Sequence, residues 1–167
     1  RHGNSSKWLV FLQDRAGWRF IPAAREISSA KASGRIGRMR YTLEFADSEL
    51  RAVVREGALV RLRLAAGSVR DEAGERGWLT GVTLEMSAAG LQGDTTHAFG
   101  RIAEAGLQHD QRLLRRMDVP GTLTAARPGE VVTLALRLSN GTQFVVDGHR
   151  LDAVLADDAR FTPDLSC

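Results

Sequence analysis

The amino-acid sequence predicts a mainly β protein, an antiparallel β-barrel with an N-terminal β extension and one inserted helical segment. Three observations predict it. Several short runs alternate apolar and polar residues at period two, clearest at Val60, Leu62 and Leu64 and at Val132, Leu134, Leu136 and Leu138. Turn-forming pairs such as Asn140-Gly141 stand between such runs. Only residues 97–117 space their apolar side chains in a helix-like way. Short alternating strands with turns between them suit a barrel or a sandwich.

The elements follow in order. Residues 8–12 and 18–21 read as two strands of a hairpin around the turn at 14–17. Residues 23–37 are rich in Ala, Ser and Gly and read as a loop with or without a short helix. Met39, Tyr41, Leu43 and Phe45 share one face of a strand. Residues 47–55 fit a helical turn or an extended linker, ended by Gly57. Residues 58–64 form the next strand, 65–77 a long hairpin loop, and 78–86 another strand. In 97–117, Phe99, Ile102, Ala103, Gly106, Leu113, Leu114 and Met117 follow helical spacing, and Arg112, Arg115 and Arg116 suit a helix C-terminus. Pro120-Gly121 would end that helix. Strands resume at 131–138, around Phe144 and Val146, and at 151–155, with Asp147-Gly148 as a turn. The organisation expected is an extension over 1–50, a barrel over 51–156 with a helical insertion at about 94–126, and a poorly ordered tail over 157–167.

Composition narrows the function. The chain has 167 residues, 43% of them hydrophobic and 26% charged. That is enough to bury a core without staples. The single cysteine, Cys167, cannot form an internal disulfide. Together with the polar start of the chain, which lacks a secretory-leader pattern, this fits a cytoplasmic location. No run of apolar residues is long enough to span a membrane as a helix. Of the 23 basic residues, 21 are arginine, yet the net charge is only +3. The balance runs from +4 over 1–50 to −2 over 121–167. A dedicated nucleic-acid binder carries a steeper basic face. The histidines, His2, His97, His109 and His149, form no metal-ligand spacing. No nucleophile elbow or phosphate loop is present, so the reading is non-enzymatic, with no metal or cofactor.

One constellation stands out. Arg51 and Arg55 form an RxxxR just before the strand at 58–64. Glu85, Ser87 and Gly90 form an ExSxxG at the end of the strand at 78–86. The spacing RxxxR also occurs at Arg15/Arg19 and Arg112/Arg116, so only its position gives it weight. In that position it resembles the PilZ family, whose barrels open with RxxxR and continue with (D/N)xSxxG. Pro128-Gly129 before the strand at 131–138 also looks like PilZ. Glu85 departs from the family's Asp or Asn. The resemblance covers about residues 50–93 and 127–156. It implies a cyclic-di-GMP-responsive receptor or effector whose ligand-binding residues are Arg51, Arg55, Glu85, Ser87 and Gly90. The chemistry is coherent: a guanidinium fork suits phosphates and guanine edges. A small-residue turn lets the backbone approach closely. The competing reading is a non-enzymatic adaptor or structural module of a bacterial secretion, pilus, flagellar or phage-tail-like assembly. It would bind a protein partner, or a second copy through the inserted helix.

Overall fold

The computed structural model describes residues 39–164, part of a compact unit that begins at Arg38. The hairpin expected at 8–21 lies outside the described residues. Those described form thirteen strands and no helix. Two long strands organise them, β1 (Tyr41–Glu56) and β2 (Leu59–Arg70), joined at Gly57, whose φ is +59°. After them come β3 (Arg76–Leu79), β4 (Val82–Ser87), β5 (Gly90–Gly93), β6 (Gly100–His109) and β7 (Arg112–Leu114). Next are β8 (Arg116–Val119), β9 (Gly121–Thr124), β10 (Val132–Leu138), β11 (Gln143–Gly148), β12 (Arg150–Leu155) and β13 (Phe161–Pro163).

The ladder runs β5-β11-β10-β6-β1-β2-β4-β12-β9, with β7 on β6, β8 on β1, β3 on β2 and β13 on β3. Every pairing is antiparallel. The ladder does not close, so the expected barrel is corrected to an open antiparallel sheet. Its path ends at β5 and β9, which do not pair with each other. β8 hydrogen-bonds to β1 and β9 to β12, but the chain between them passes through the cis Val119–Pro120 peptide. Proline has no N–H to offer a ladder. The polypeptide passes there from β1 to β12, with Val119 paired to Tyr41 and Gly121 to Ala153.

β1 changes partners partway along. Its first half lies between β2 and β8, and at Glu49 and Leu50 it meets β6. The switch occurs at an irregularity between Glu44 and Glu49, where Asp47 is left-handed at φ +71°. Such bulges bend a strand and strengthen its twist. Ser48, fully buried, fastens this one. Its hydroxyl donates to the Glu44 carbonyl at 2.7 Å and accepts from the Ser68 N–H at 2.9 Å.

A single apolar cluster fills the interior. Val60 and Leu62 of β2 face Met86 and Leu84 of β4, and these face Leu151 and Ala153 of β12. Leu134 and Val146 continue it under β10 and β11, with Leu107 from β6. Burying a large side chain such as Phe45 or Phe144 contributes about 1.5–3 kcal/mol.

Five local expectations are corrected. The inserted helix does not form: residues 100–124 hold β6 to β9. Gly100 at φ +105° and the consecutive left-handed pair Asp110-Gln111 are incompatible with a continuous helix. The apolar face proposed for oligomerisation dissolves with it, since Ile102 and Met117 are buried while Phe99 and Leu113 are exposed. The ambiguous 47–55 is simply the rest of β1, so the boundary expected at 50/51 falls inside one strand. The loop expected at 65–77 is mostly strand; the true turn is 71–75, where Asp71 accepts from the Ala73 and Glu75 N–H groups at 2.9 and 2.8 Å. The strand expected at 78–86 is two, divided at Gly81 (φ +76°). In the tail expected to be disordered, Phe161 to Pro163 pair with β3, and Tyr41 and Phe161 stack with ring centres 5.4 Å apart. The strands at β10, β11 and β12 lie where the alternation put them, with the Asp147-Gly148 pair closing β11 itself. Among the described residues no helix is long and apolar enough to cross a membrane.

Two substitutions test this account. Ser48→Ala leaves a buried amide and carbonyl without that partner and is expected to cost about 1–3 kcal/mol. Urea unfolding measures the loss, and hydrogen exchange should show the Ser68 amide deprotected first. A Cβ on Gly77 would lie 2.4 Å from both the Phe161 ring and the Thr162 carbonyl. Gly77→Ala should therefore displace β13 at a cost of about 1–3 kcal/mol in the same assay.

Candidate functional site

The five residues of the RxxxR and ExSxxG patterns are distributed over three strands. Arg51 and Arg55 are exposed on β1. They sit in a strand paired to β2, not in a linker able to wrap a ligand. At roughly 3.3 Å of rise per residue their Cα atoms stand about 13 Å apart. Arg55 donates through Nε to the Gly57 carbonyl at 3.3 Å. Glu85 and Ser87 lie on β4, opposite Arg61 and Leu59 of β2.

Register decides which of these side chains can meet. Directly opposed residues point to the same face of a sheet. Arg55 opposes Val60, which opposes the buried Met86. Glu85 opposes Arg61, which opposes Val54. Arg55 and Glu85 therefore occupy opposite faces. What the fold does bring together is the β1–β2 turn and the bend after β4, through a 2.8 Å bond from the Ala89 N–H to the Ala58 carbonyl. The left-handed residue of that bend is Ala88, at φ +53°. Gly90 serves another purpose: its missing Cβ would meet Asp147 Oδ1 at 2.8 Å. That oxygen is buried and has no hydrogen-bond partner.

Glu85 is already engaged. Its Oε1 accepts from Arg61 Nε at 2.8 Å, and Arg61 Nη1 also contacts Glu56. The bond to Glu85, then the bond to Glu56, raises the Arg61 pKa. Across the ladder from Glu85 stands Asp152. It accepts from Arg150 Nε at 2.8 and 3.0 Å, from Arg150 Nη2 at 2.9 Å and from Thr122 Oγ1 at 2.6 Å. Burial pushes the Asp152 carboxyl upward, but the Arg150 and Thr122 bonds together with the Arg150 charge outweigh it and hold the pKa below the ordinary aspartate range. The two carboxylates stand opposite each other on this face, and each is held by its own arginine.

A second region has the shape of a receptor. An open concavity of about 480 Å³ lies along β1, β2 and β3 where the β1 bulge bends the sheet. Ala66, Ser68 and Gly77 line it with little side-chain bulk, beside Trp78. Trp78 opposes Ser68 on one side and Thr162 on the other, and 38% of it is exposed. Asp47, Glu49, Arg76, Arg101 and Asp164 supply the charge. Arg101 Nε lies 3.1 Å from Asp47 Oδ1, and Arg76 Nη2 lies 3.5 Å from Glu44 Oε2. Among the described residues, Glu49 and Asp164 have no side-chain hydrogen bond or ion pair. The sequence reading missed this region because it placed 65–77 in a long hairpin loop. The signal available was a tryptophan following the small residues Ala66, Gly67, Ser68 and Gly77. Among the described residues no group of His, Cys, Asp and Glu is arranged to hold a metal ion.

Compared with protein-family models, with curated proteins and with solved structures, the chain matches none.

The charged face generates a pH prediction. Asp152 is more acidic folded than unfolded, so its stabilisation is full at neutral pH and is lost as the pH falls through the folded value. Asp152→Asn should lower stability at pH 7 and flatten the acid limb of the stability curve below about pH 4. Denaturant melts over a pH series measure both. Because Arg61 and Glu85 are each partly exposed, Glu85→Gln should cost no more than about 1 kcal/mol.

Proposed function

We propose that residues 39–164 act as a non-enzymatic protein-binding module, an adaptor or structural domain whose contact surface is the concavity beside Trp78. The observation that carries this reading is a half-exposed tryptophan set in a concave, small-residue surface. Tryptophan in such a setting is the commonest kind of interface anchor, because it supplies a large apolar area at little entropic cost. The surrounding mixed charges supply a polar rim. A photo-crosslinking amino acid at Thr162, beside Trp78, should give one discrete adduct in the native cell. The same group at the exposed Val154 of β12 should not. Equal labelling at both positions, or none at Thr162, overturns the reading.

A cyclic-di-GMP receptor remains the second reading, favoured by the bond that sets the Arg55-bearing turn beside the bend at 88–90. Calorimetry separates the two. The adaptor reading expects no heat on titration with cyclic di-GMP. Micromolar binding that is lost in Arg55→Ala would instead establish the nucleotide reading.

A further inference from the structure

We infer that Asn140 is a site of spontaneous deamidation held in check by the fold, and that its conversion releases the connection between β5 and β6; this does not depend on the adaptor reading. The chain has two asparagines, Asn4 and Asn140, and only Asn140 precedes a glycine. A glycine after asparagine leaves the next backbone nitrogen unshielded by a side chain, so that it can attack the asparagine Cγ. At the tip of the β10–β11 hairpin, Gly141 holds the left-handed position at φ +87°. The Asn140 amide uses both its ends there. Nδ2 donates to the His97 carbonyl at 3.0 Å and to the Phe99 carbonyl at 3.1 Å, and Oδ1 accepts from the Thr142 N–H at 3.0 Å. Thr142 Oγ1 adds a second bond to the His97 carbonyl, at 3.2 Å. One side chain thus fastens residues 97–99 to a hairpin far along the chain. That segment runs directly into β6, where Gly100 and Arg101 meet Leu50 and Glu49 of β1.

The reaction needs no reagent beyond water. The Gly141 amide, deprotonated by hydroxide, forms a bond to Asn140 Cγ. The Cγ–Nδ2 bond breaks, and Nδ2 takes a proton back from water and leaves as ammonia. Water then opens the resulting succinimide at either carbonyl, giving aspartate or isoaspartate. The fold opposes the first step. The Gly141 N–H already donates to the Leu138 carbonyl at 3.0 Å, and Cγ is held by the three bonds of its own amide. The hairpin tip must therefore open locally before the nitrogen can attack. The product cannot restore the lock. An amide carries donors, whereas an ionised carboxylate only accepts. A carboxylate at position 140 would set an anion against the carbonyl oxygens of His97 and Phe99, while the Thr142 N–H keeps an acceptor. The 97–99 side of the lock then opens, and the exposed Phe99 ring moves with it.

The test incubates the full chain at mildly alkaline pH, folded and unfolded in urea. It follows Asn140 by peptide mass spectrometry that separates aspartate from isoaspartate. The unfolded chain should convert at Asn140 at least several-fold faster than the folded one. Equal rates, or no conversion in urea, overturn the inference. Hydrogen exchange on Asn140→Asp reads the second half. The Ala98 and Phe99 amides bond within the connection, to the Thr95 and His97 carbonyls at 3.1 and 2.9 Å. Both should exchange at least several-fold sooner than in the unaltered chain, while the amides of β12 exchange as before. Unchanged exchange at Ala98 and Phe99 overturns the inference by showing no release. A matching rise throughout β12 overturns it too, because the effect is then a general loss of stability.

Discussion

The architecture depends on one buried hydroxyl. Ser48 ties the two sides of the irregularity in β1, accepting from the Ser68 amide across the hairpin while donating back to Glu44. A strand that bends without such a tie leaves buried amides and carbonyls unpaired, and each of those costs more than an ordinary hydrogen bond returns. With the tie in place, β1 can leave β8 and reach β6. The sheet halves on either side of that switch then share one apolar interior. The concavity beside Trp78 is a product of the same bend.

The surface divides into two chemically different regions. On the face of β2, β4 and β12 each carboxylate has its own arginine, Glu85 with Arg61 across the ladder and Asp152 with Arg150 two residues away on its own strand. Partly exposed pairs of this kind add little stability. In the concavity an aromatic ring is partly uncovered. That uncovered ring, more than the number of arginines, distinguishes the two surfaces.

Much of the β architecture was legible in the sequence. Alternation placed the buried faces at Tyr41, Leu43 and Phe45, at Val60, Leu62 and Leu64, and at Leu134 and Leu136, because a pleated strand repeats every two residues whatever its partner. Met39 fell outside β1 and is exposed. The helix over 97–117 was a coincidence of spacing. Ile102 and Met117 are buried from different strands, and the turn at Asp110-Gln111 adopts left-handed angles at residues whose types do not announce them. Nothing local marks a long strand that changes partners, so 47–55 stayed ambiguous and the open ladder was invisible. Of the RxxxR and ExSxxG residues, the strand context of Glu85 and Ser87 was readable. Their separation from Arg55 by the pleat was not, because face assignment across strands needs register, and register is a tertiary property.

The passage of β1 from one half of the sheet to the other has a mechanical consequence. A protein opens locally along planes that few contacts cross. Here the ladder crosses from one half to the other where Glu49 and Leu50 of β1 meet Arg101 and Gly100 of β6, and the buried side chains beneath that short junction join the halves. The hold of one half on the other therefore rests on apolar packing at the junction, where Leu50 and Ile102 are buried, more than on backbone hydrogen bonds.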